Sequence, residues 1–280
     1  MRIQTFSKVN YTLEVGVKRE DGYHNLESVV QTLSLCDYID IEETKERINI
    51  SCSDPSVPTD KRNTVYKACE LFLSTFQIDK GINIHIEKNI PTQAGLGGGS
   101  GNASGVLVAL NEIFETNLSK EALAQMSAAI GSDCPLFIYG GSTLMTGRGE
   151  IVKPLQCLPK LYFIIIKPDS TVSTKEAYSE LDKRENIVSK GFTNKIVSLQ
   201  EKNELTKELL CAYMTNDFEI LNKLDIFDLK MALINAGAKG ALLCGSGSCV
   251  FGVFFDESER DKAFEKLKEY YKVYKAESVF

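Results

Sequence analysis

The chain has 280 residues, of which 43% are hydrophobic and 25% are charged, and its formal net charge is -6. This composition is that of a globular protein with enough apolar residues for one large or two modest cores. The negative charge and the absence of a Lys/Arg block argue against a nucleic-acid-binding protein, which needs a basic surface. The longest apolar run, residues 161–166, is shorter than a membrane span. The N-terminal sequence lacks the apolar segment of a signal peptide, so we expect a cytoplasmic protein with no membrane partner.

Eight cysteines are present, but no two of them form a CxxC pair, and the chain has only two histidines, His24 and His85. Protein zinc sites are built mainly from clusters of these two residue types. We therefore expect reduced thiols, as in other cytosolic proteins, and no metal site made by the chain itself.

The first half of the chain carries strand patterns early and helix patterns later. Alternating apolar and polar residues predict strands at residues 3–17, 27–43, 48–53 and 82–88. Apolar residues at helical spacing predict helices at residues 63–76, 103–114 and 119–131.

A hairpin is predicted at residues 142–155, and it leads to Pro154 and Pro159, where we place a domain boundary. The sequence therefore predicts two α+β domains, one of residues 1–156 and one of residues 157–280.

The second predicted domain opens with a strand and a helix, whose start carries a Ser173/Glu176 capping box. Further helices extend to about residue 235. The predicted elements after them are a strand–turn–strand, a helix and a closing strand, at residues 241–255, 257–271 and 273–280. Strands separated by helices in this order favour a ferredoxin-like domain.

The segment "IPTQAGLGGGSGNAS", residues 90–104, places five glycines within seven positions between a predicted strand and a predicted helix. Backbone N–H groups and the positive end of the helix dipole converge there, which favours an anion site. The GxGxxG and GxxxxGK[ST] patterns fail, and protein-kinase signatures are absent. A tight packing turn is the alternative, but one or two glycines would suffice for it. The pattern therefore predicts phosphate binding.

Three motifs carry a resemblance to a known family. "PTQAGLGGGSGNAS" resembles the P-x-x-x-G-L-x-x-x-S loop of the GHMP kinases, the small-molecule kinases named for galactose, homoserine, mevalonate and phosphomevalonate. "FSKVNYTLEV" resembles their first motif, and "LLCGSGSCVFGVF" their third. The resemblance implies a ribosomal-protein-S5-like N-terminal domain that binds ATP, supplied as Mg-ATP, and a ferredoxin-like C-terminal domain.

The resemblance also implies which residues contact ATP, with Asn63 as a weaker candidate near the adenine. The implied residues are Pro91, Gly95, Leu96, Gly97, Gly98, Gly99, Ser100, Gly101 and Asn102.

The block at residues 18–42, with its D-G-Y-H sequence, is similar to one branch of these kinases. That branch transfers phosphate from ATP to the 2-hydroxyl of 4-diphosphocytidyl-2-C-methyl-D-erythritol in the non-mevalonate isoprenoid pathway. Tyr23 and Tyr178 would then offer aromatic faces to the cytosine ring, and His24 would bond its edge. From the residues alone, a tyrosine at position 23 is more often explained by turn packing, and Tyr178 more often by core packing.

For phosphoryl transfer, the resemblance assigns Asp133 as the base that accepts the hydroxyl proton, and Lys8 as its partner. From the residues alone, Asp133 could be a helix cap before Pro135, and Lys8 an exposed strand lysine. Asn10 shares a strand face with Lys8. The resemblance assigns further substrate contacts to Asn10, Thr174, Gly245, Ser246 and Gly247.

The chain departs from the usual family pattern at a few motif positions, none of which carries an assigned chemical group. These positions are Phe6, Ser7, Gly101, Ser104 and Cys244. Two alternatives stay open: another GHMP kinase, of the mevalonate or homoserine type, and a catalytically silent relative that only binds ligand. Whether the protein is a monomer or a homodimer is also open.

Overall fold

The structure is a computed structural model, and it describes residues 1–45, 47–170, 173–183, 189–221 and 226–280. Its strands, in chain order, are β1 (Arg2–Asn10), β2 (Thr12–Lys18), β3 (His24–Thr44), β4 (Asn49–Cys52), β5 (Gly81–Glu87), β6 (Ser142–Thr146), β7 (Ile151–Pro154), β8 (Tyr162–Lys167), β9 (Thr215–Asn216), β10 (Gly240–Leu243), β11 (Val250–Phe254) and β12 (Lys272–Glu277).

The helices lie between groups of these strands, and a short 3-10 helix, Asp217–Leu221, precedes the eighth helix. They are α1 (Thr64–Thr75), α2 (Gly98–Ile113), α3 (Lys120–Ala128), α4 (Cys134–Tyr139), α5 (Thr174–Leu181), α6 (Phe192–Glu201), α7 (Lys207–Ala212), α8 (Ile226–Asn235) and α9 (Glu257–Leu267). None of the helices in the described ranges is long and apolar enough to cross a membrane.

The residues group by spatial contact into two units that alternate along the chain. The first unit consists of Met1–Ser7, Cys36–Thr92 and Gly97–Tyr139. The second consists of Lys8–Leu35, Gln93–Leu96 and Gly140–Phe280. The division of the chain into domains of residues 1–156 and 157–280 stays a prediction.

In the first unit, α1 and α2 lie against a sheet. Strand β5 pairs antiparallel with Tyr38–Thr44 of β3 and parallel with β4. The predicted alternation in β5 is confirmed, because Ile82, Ile84 and Ile86 all point into the core. Phe72 of α1 is fully buried in the same core.

Helix α2 begins five residues earlier than the sequence predicts, at Gly98 instead of residue 103. Close packing explains this difference. A Cβ on Gly101 would lie 2.7 Å from the Phe6 carbonyl oxygen, and one on Gly105 would lie 2.4 Å from Thr5 Cγ2. Glycines in the first turns therefore let the helix backbone approach β1 closely, and residues 98–104 of the glycine-rich segment are helical.

The single strand predicted at residues 3–17 is wrong, because β1 and β2 are separate strands with a break at Tyr11. The Tyr11 side chain is fully buried. Its amide donates to the Val29 carbonyl, and its carbonyl accepts from the Thr215 amide. These two backbone bonds to other segments hold the break in place.

The second unit contains two groups of paired strands. In one, β2 lies between β9 and the first part of β3, β3 also pairs with β6, and β6 pairs with β7. In the other, the strand order is β10-β11-β8-β12 and every neighbour is antiparallel. With helices between β8 and β10 and between β11 and β12, this is a β-α-β-β-α-β arrangement. The predicted ferredoxin-like domain is therefore confirmed. The capping box predicted at the start of α5 is wrong, because the Ser173 side chain makes no hydrogen bond to the helix.

A buried carboxylate joins β2 to α6 in the second unit. Glu14 is 3% exposed and accepts hydrogen bonds from the amides of Gly191 and Thr193 and from the Ser189 hydroxyl, at 2.7, 2.8 and 2.9 Å. Gly191 is the N-cap of α6, so this negative charge lies at the positive end of the helix. Although burial acts in the opposite direction, these hydrogen bonds hold the pKa of Glu14 below its ordinary value of 4.5.

We expect Glu14→Gln to lower the urea midpoint at pH 7, by an amount equivalent to about 1–2 kcal/mol, because charged hydrogen bonds at the start of α6 are lost. A carboxyl whose pKa is lowered on folding stabilises the folded state above its unfolded pKa, and this contribution is lost as the pH falls through the folded value. The midpoints of wild type and variant should therefore converge on acidification, as measured by urea titrations from pH 7 to pH 3. A constant gap would contradict this account.

Candidate functional site

The start of α2 presents unpaired backbone donors in the first unit. Gly97 is the N-cap, in the left-handed region at φ 71°. The first intrahelical bond runs from the Gly101 amide to the Gly97 carbonyl at 2.8 Å. The amides of Gly98, Gly99 and Ser100 precede it, so they have no acceptor within the helix. This geometry fits an anion at the helix start.

Lys88 is a residue that the sequence reasoning missed. It follows β5 directly, and its side chain is 6% exposed. A Cβ on Gly98 would lie 3.0 Å from Lys88 Nζ, so this ammonium borders the start of α2. Asp37, which is fully buried, accepts from Lys88 Nζ at 2.5 Å and from the amides of Asn89 and Ile90 at 2.7 Å each. The only signal in the sequence is the position of Lys88, just before the glycine-rich segment.

Two of the residues predicted to contact ATP, Asn63 and Asn102, have side chains that are hydrogen-bonded within the protein. Asn63 is the N-cap of α1: its Oδ1 accepts from the Val65 amide and its Nδ2 donates to the Pro58 carbonyl. Asn102 is 3% exposed, and its Oδ1 accepts from Thr5 Oγ1 at 2.7 Å. Pro91 is half-buried and lies four residues after the end of β5.

Asp133 lies in the turn directly before α4 and is half-buried. Its neighbour Cys134 is fully buried, and burial raises the pKa of that thiol to about 11. A hydrogen bond with Ser100 acts on Cys134 in the opposite direction. The Ser104 hydroxyl donates to the Cys134 carbonyl at 2.7 Å, so this departure from the family pattern has a structural partner. All eight cysteines are free thiols.

In the second unit, Lys8 is buried and its ammonium donates to Asn10 Oδ1 at 2.8 Å. Asn10 in turn donates to Ser28 Oγ at 2.8 Å. The Lys8 amide donates to the Leu96 carbonyl at 3.0 Å, which ties this strand to the glycine-rich segment. Leu96 itself is 1% exposed, so its side chain belongs to the core.

In the second unit, the turn of the third motif, residues 244–247, lies against Gly95 of the glycine-rich segment. A Cβ on Gly95 would lie 1.9 Å from the Cys244 carbonyl oxygen, and one on Gly245 would lie 3.5 Å from Lys8 Nζ. The Asn216 amide group donates to the Gly245 carbonyl at 2.7 Å and holds the turn from the other side. Among the described residues, a cleft of about 480 Å³ is lined by Gln93, Gly95, Ser173, Thr174, Glu176, Ser246 and Gly247.

Helix α5 connects this cleft to an aromatic group. Thr174 Oγ1 lies 3.0 Å from Ser246 Oγ. One turn later, Tyr178 stacks on the His24 ring, with 5.3 Å between ring centroids and 22° between planes. Phe218 meets Tyr178 edge-on at 4.9 Å. The structure therefore brings together the predicted residues Thr174, Ser246, His24 and Tyr178.

Tyr23 is placed differently from His24. Its side chain is 54% exposed, and the Arg148 guanidinium lies over its ring, 4.8 Å from the centroid. The ring is therefore available at the surface of the turn that precedes β3.

Asp182 is a second residue that the sequence reasoning missed. It is the C-cap of α5, and its Oδ1 lies 2.7 Å from His24 Nε2. Lys18 pairs with the other carboxylate oxygen. The Lys18 hydrogen bond is the main reason that the pKa of Asp182 lies below its ordinary range, and the charge of Lys18 acts in the same direction.

Gly95 combines a left-handed backbone with close contact, so we expect Gly95→Ala to destabilise the protein strongly. Its φ is 76°, and the added Cβ would overlap a backbone oxygen that cannot move away freely. Gly22 is a matched control, because its φ is 83° and a Cβ there meets nothing within 4 Å. Gly22→Ala should cost about 1–2 kcal/mol from backbone strain alone.

The thermal unfolding midpoints of both variants and of wild type test this expectation. The midpoint of Gly95→Ala should fall at least twice as far as that of Gly22→Ala. Equal losses would mean that the contact between the two glycine-rich motifs does not constrain the structure.

Comparison with known proteins supplies independent findings. Family models for the GHMP kinases N terminal domain and the GHMP kinases C terminal match residues 63–141 and 208–273. A 4-diphosphocytidyl-2-C-methyl-D-erythritol kinase from Clostridium tetani is 39% identical over 274 residues, which cover 97% of each chain.

Solved structures give the same family. A crystal structure of 4-(cytidine 5'-diphospho)-2C-methyl-D-erythritol kinase is 26% identical and has a TM-score of 0.80, with 100% of both chains covered. Homoserine kinase from Cytophaga hutchinsonii has a TM-score of 0.77 at 20% identity, covering 99% of this chain and 94% of its own, which shows a shared fold.

Proposed function

This chain belongs to the GHMP kinase family, and we propose that it transfers the γ-phosphoryl group of ATP to the 2-hydroxyl of 4-diphosphocytidyl-2-C-methyl-D-erythritol. The relatives that match almost the whole chain carry the name of this kinase. The reaction belongs to isoprenoid precursor synthesis by the non-mevalonate route.

The observation that carries the substrate assignment is the pair of contacts made by α5. Thr174 contacts the Gly245–Gly247 turn, and Tyr178, four residues later, stacks on His24. Four helical residues span about 6 Å, a distance that suits a diphosphate at one end and a nucleobase at the other. We infer that Gly245, Ser246 and Gly247 bind the diphosphate and that Tyr23, His24 and Tyr178 bind the cytosine.

ATP binding is supported by the donors at the start of α2. The first-turn amides of Gly98, Gly99 and Ser100, which follow the left-handed N-cap Gly97, would bind the phosphates. The Lys88 ammonium, which is paired with Asp37, borders the same helix end. Asn63 and Asn102 would contribute by holding the backbone of this region, because their side chains already have partners.

Asp133 and Lys8 are proposed to carry the chemistry. Asp133 would accept the proton of the attacking hydroxyl. Lys8, whose ammonium Asn10 orients, would offset negative charge on the transferred group. Mg²⁺ usually binds through phosphates and water, with one or two carboxylates. Since no group of three or more His, Cys, Asp or Glu forms a metal site in the described part of the chain, we propose that Mg²⁺ enters as Mg-ATP.

Purified protein with Mg-ATP should release ADP with 4-diphosphocytidyl-2-C-methyl-D-erythritol, and not with mevalonate or homoserine in parallel reactions. Phosphate on the product, located by ³¹P NMR, identifies the acceptor hydroxyl. Turnover with mevalonate or homoserine instead would keep the kinase assignment and discard the cytosine site. ATP binding without turnover on any acceptor would favour a silent relative.

Asp133→Asn should reduce kcat about 10²–10⁴-fold, the usual contribution of a general base, with an unchanged thermal midpoint. Asp79→Asn is the control, because this exposed carboxylate lies before β5 in the same unit. A kcat of Asp133→Asn within threefold of wild type would remove Asp133 from the role of base.

A further inference from the structure

We propose that Asp182 is a positioning residue that fixes the tautomer of His24 and thereby selects cytosine over uracil. The proposal rests on the proposed function, because it assumes that His24 faces the nucleobase of the acceptor substrate. Asp182 itself would contact His24 and not the substrate.

One ring nitrogen of His24 already has a hydrogen-bond partner in the protein. The side chain is 8% exposed, and Nε2 lies 2.7 Å from Asp182 Oδ1. An ionised carboxylate only accepts hydrogen bonds, so Nε2 must carry the proton in this contact. In the neutral imidazole the second nitrogen, Nδ1, is then an acceptor.

The Asp182 carboxylate is itself held from a second side. Lys18, at the end of β2, pairs with Oδ2, while Oδ1 faces His24 at the start of β3. The ring of His24 is also fixed by stacking on Tyr178, which lies one turn before Asp182 on α5. The orientation of the imidazole is therefore set by two contacts from a single helix.

An acceptor at Nδ1 discriminates between the two pyrimidines. Cytosine carries an amino group at C4 that donates hydrogen bonds, whereas uracil carries a carbonyl oxygen there that only accepts. Uracil would place two acceptors against each other beside the His24 side chain, which is 8% exposed. Sites built to bond one polar group reject analogues that leave this group unpaired.

The tautomer can be observed directly by ¹⁵N-detected NMR of the imidazole nitrogens. The chain has only two histidines, and His85→Gln assigns the second set of signals. Wild type should show a protonated Nε2 on His24. Asp182→Ala should lose this preference, and Asp182→Asn, which keeps an acceptor oxygen, should retain most of it. A protonated Nδ1 in wild type, or no change in Asp182→Ala, would overturn the proposal.

The selectivity is measured by calorimetric titration with CDP and UDP. We expect wild type to bind CDP at least about tenfold more tightly than UDP, and Asp182→Ala to bind the two within about threefold, the loss of roughly one buried polar contact. Asp182→Asn should lie between them. Glu180→Ala is the control, since this carboxylate lies on the same helix and pairs with Lys183, and it should keep the wild-type ratio.

A CDP/UDP ratio that does not change in Asp182→Ala overturns the selectivity, whatever the catalytic assays show. Failure of the proposed function appears separately, as wild-type protein that does not turn over the cytidine substrate. Thermal midpoints of all variants establish that a changed ratio does not come from unfolding.

Discussion

The contact between two glycine-rich turns is the constraint on which the proposed substrate-binding part of the second unit depends. Gly95 has no side chain because the Cys244 carbonyl occupies the space where a Cβ would be. The Lys8 amide is bonded to Leu96 in the same segment, and the Lys8 ammonium borders Gly245. A proposed catalytic lysine and a proposed diphosphate-binding turn are thus positioned by one backbone-to-backbone approach, which only glycine permits.

Glycine has a second role at the start of α2. Gly101 and Gly105 give the helix room against Phe6 and Thr5, so they serve packing. Gly97 ends the preceding loop in a left-handed conformation, and the amides after it are the donors that a phosphate would meet. The glycines of this segment therefore divide between close packing, backbone conformation and access for a ligand.

Carboxylates recur as orienting groups in both units. Glu14 accepts hydrogen bonds from the amides at the start of α6. Asp37 accepts them from Lys88 and from the two amides that lead to the glycine-rich segment. Asp182 receives His24 and Lys18. Since burial of a charge is costly without partners, the buried carboxylates of Glu14 and Asp37 require their donors to stay in place. Glu14 thereby fixes the start of α6, Asp37 fixes the chain that leads into the glycine-rich segment, and Asp182 fixes the imidazole ring of His24.

The sequence by itself determined the family, the ferredoxin-like order of the last strands and helices, and the strands whose period-two pattern is strict, such as β5. Motif spacing and periodicity carry this information because both are local properties of the chain. The tertiary structure alone decided the start of α2, the break at Tyr11, and the partners of Lys88 and His24. Asp37 and Lys88 are separated by 51 positions, and Asp182 lies far from His24 along the chain. No local pattern records such pairs, because packing in three dimensions creates them.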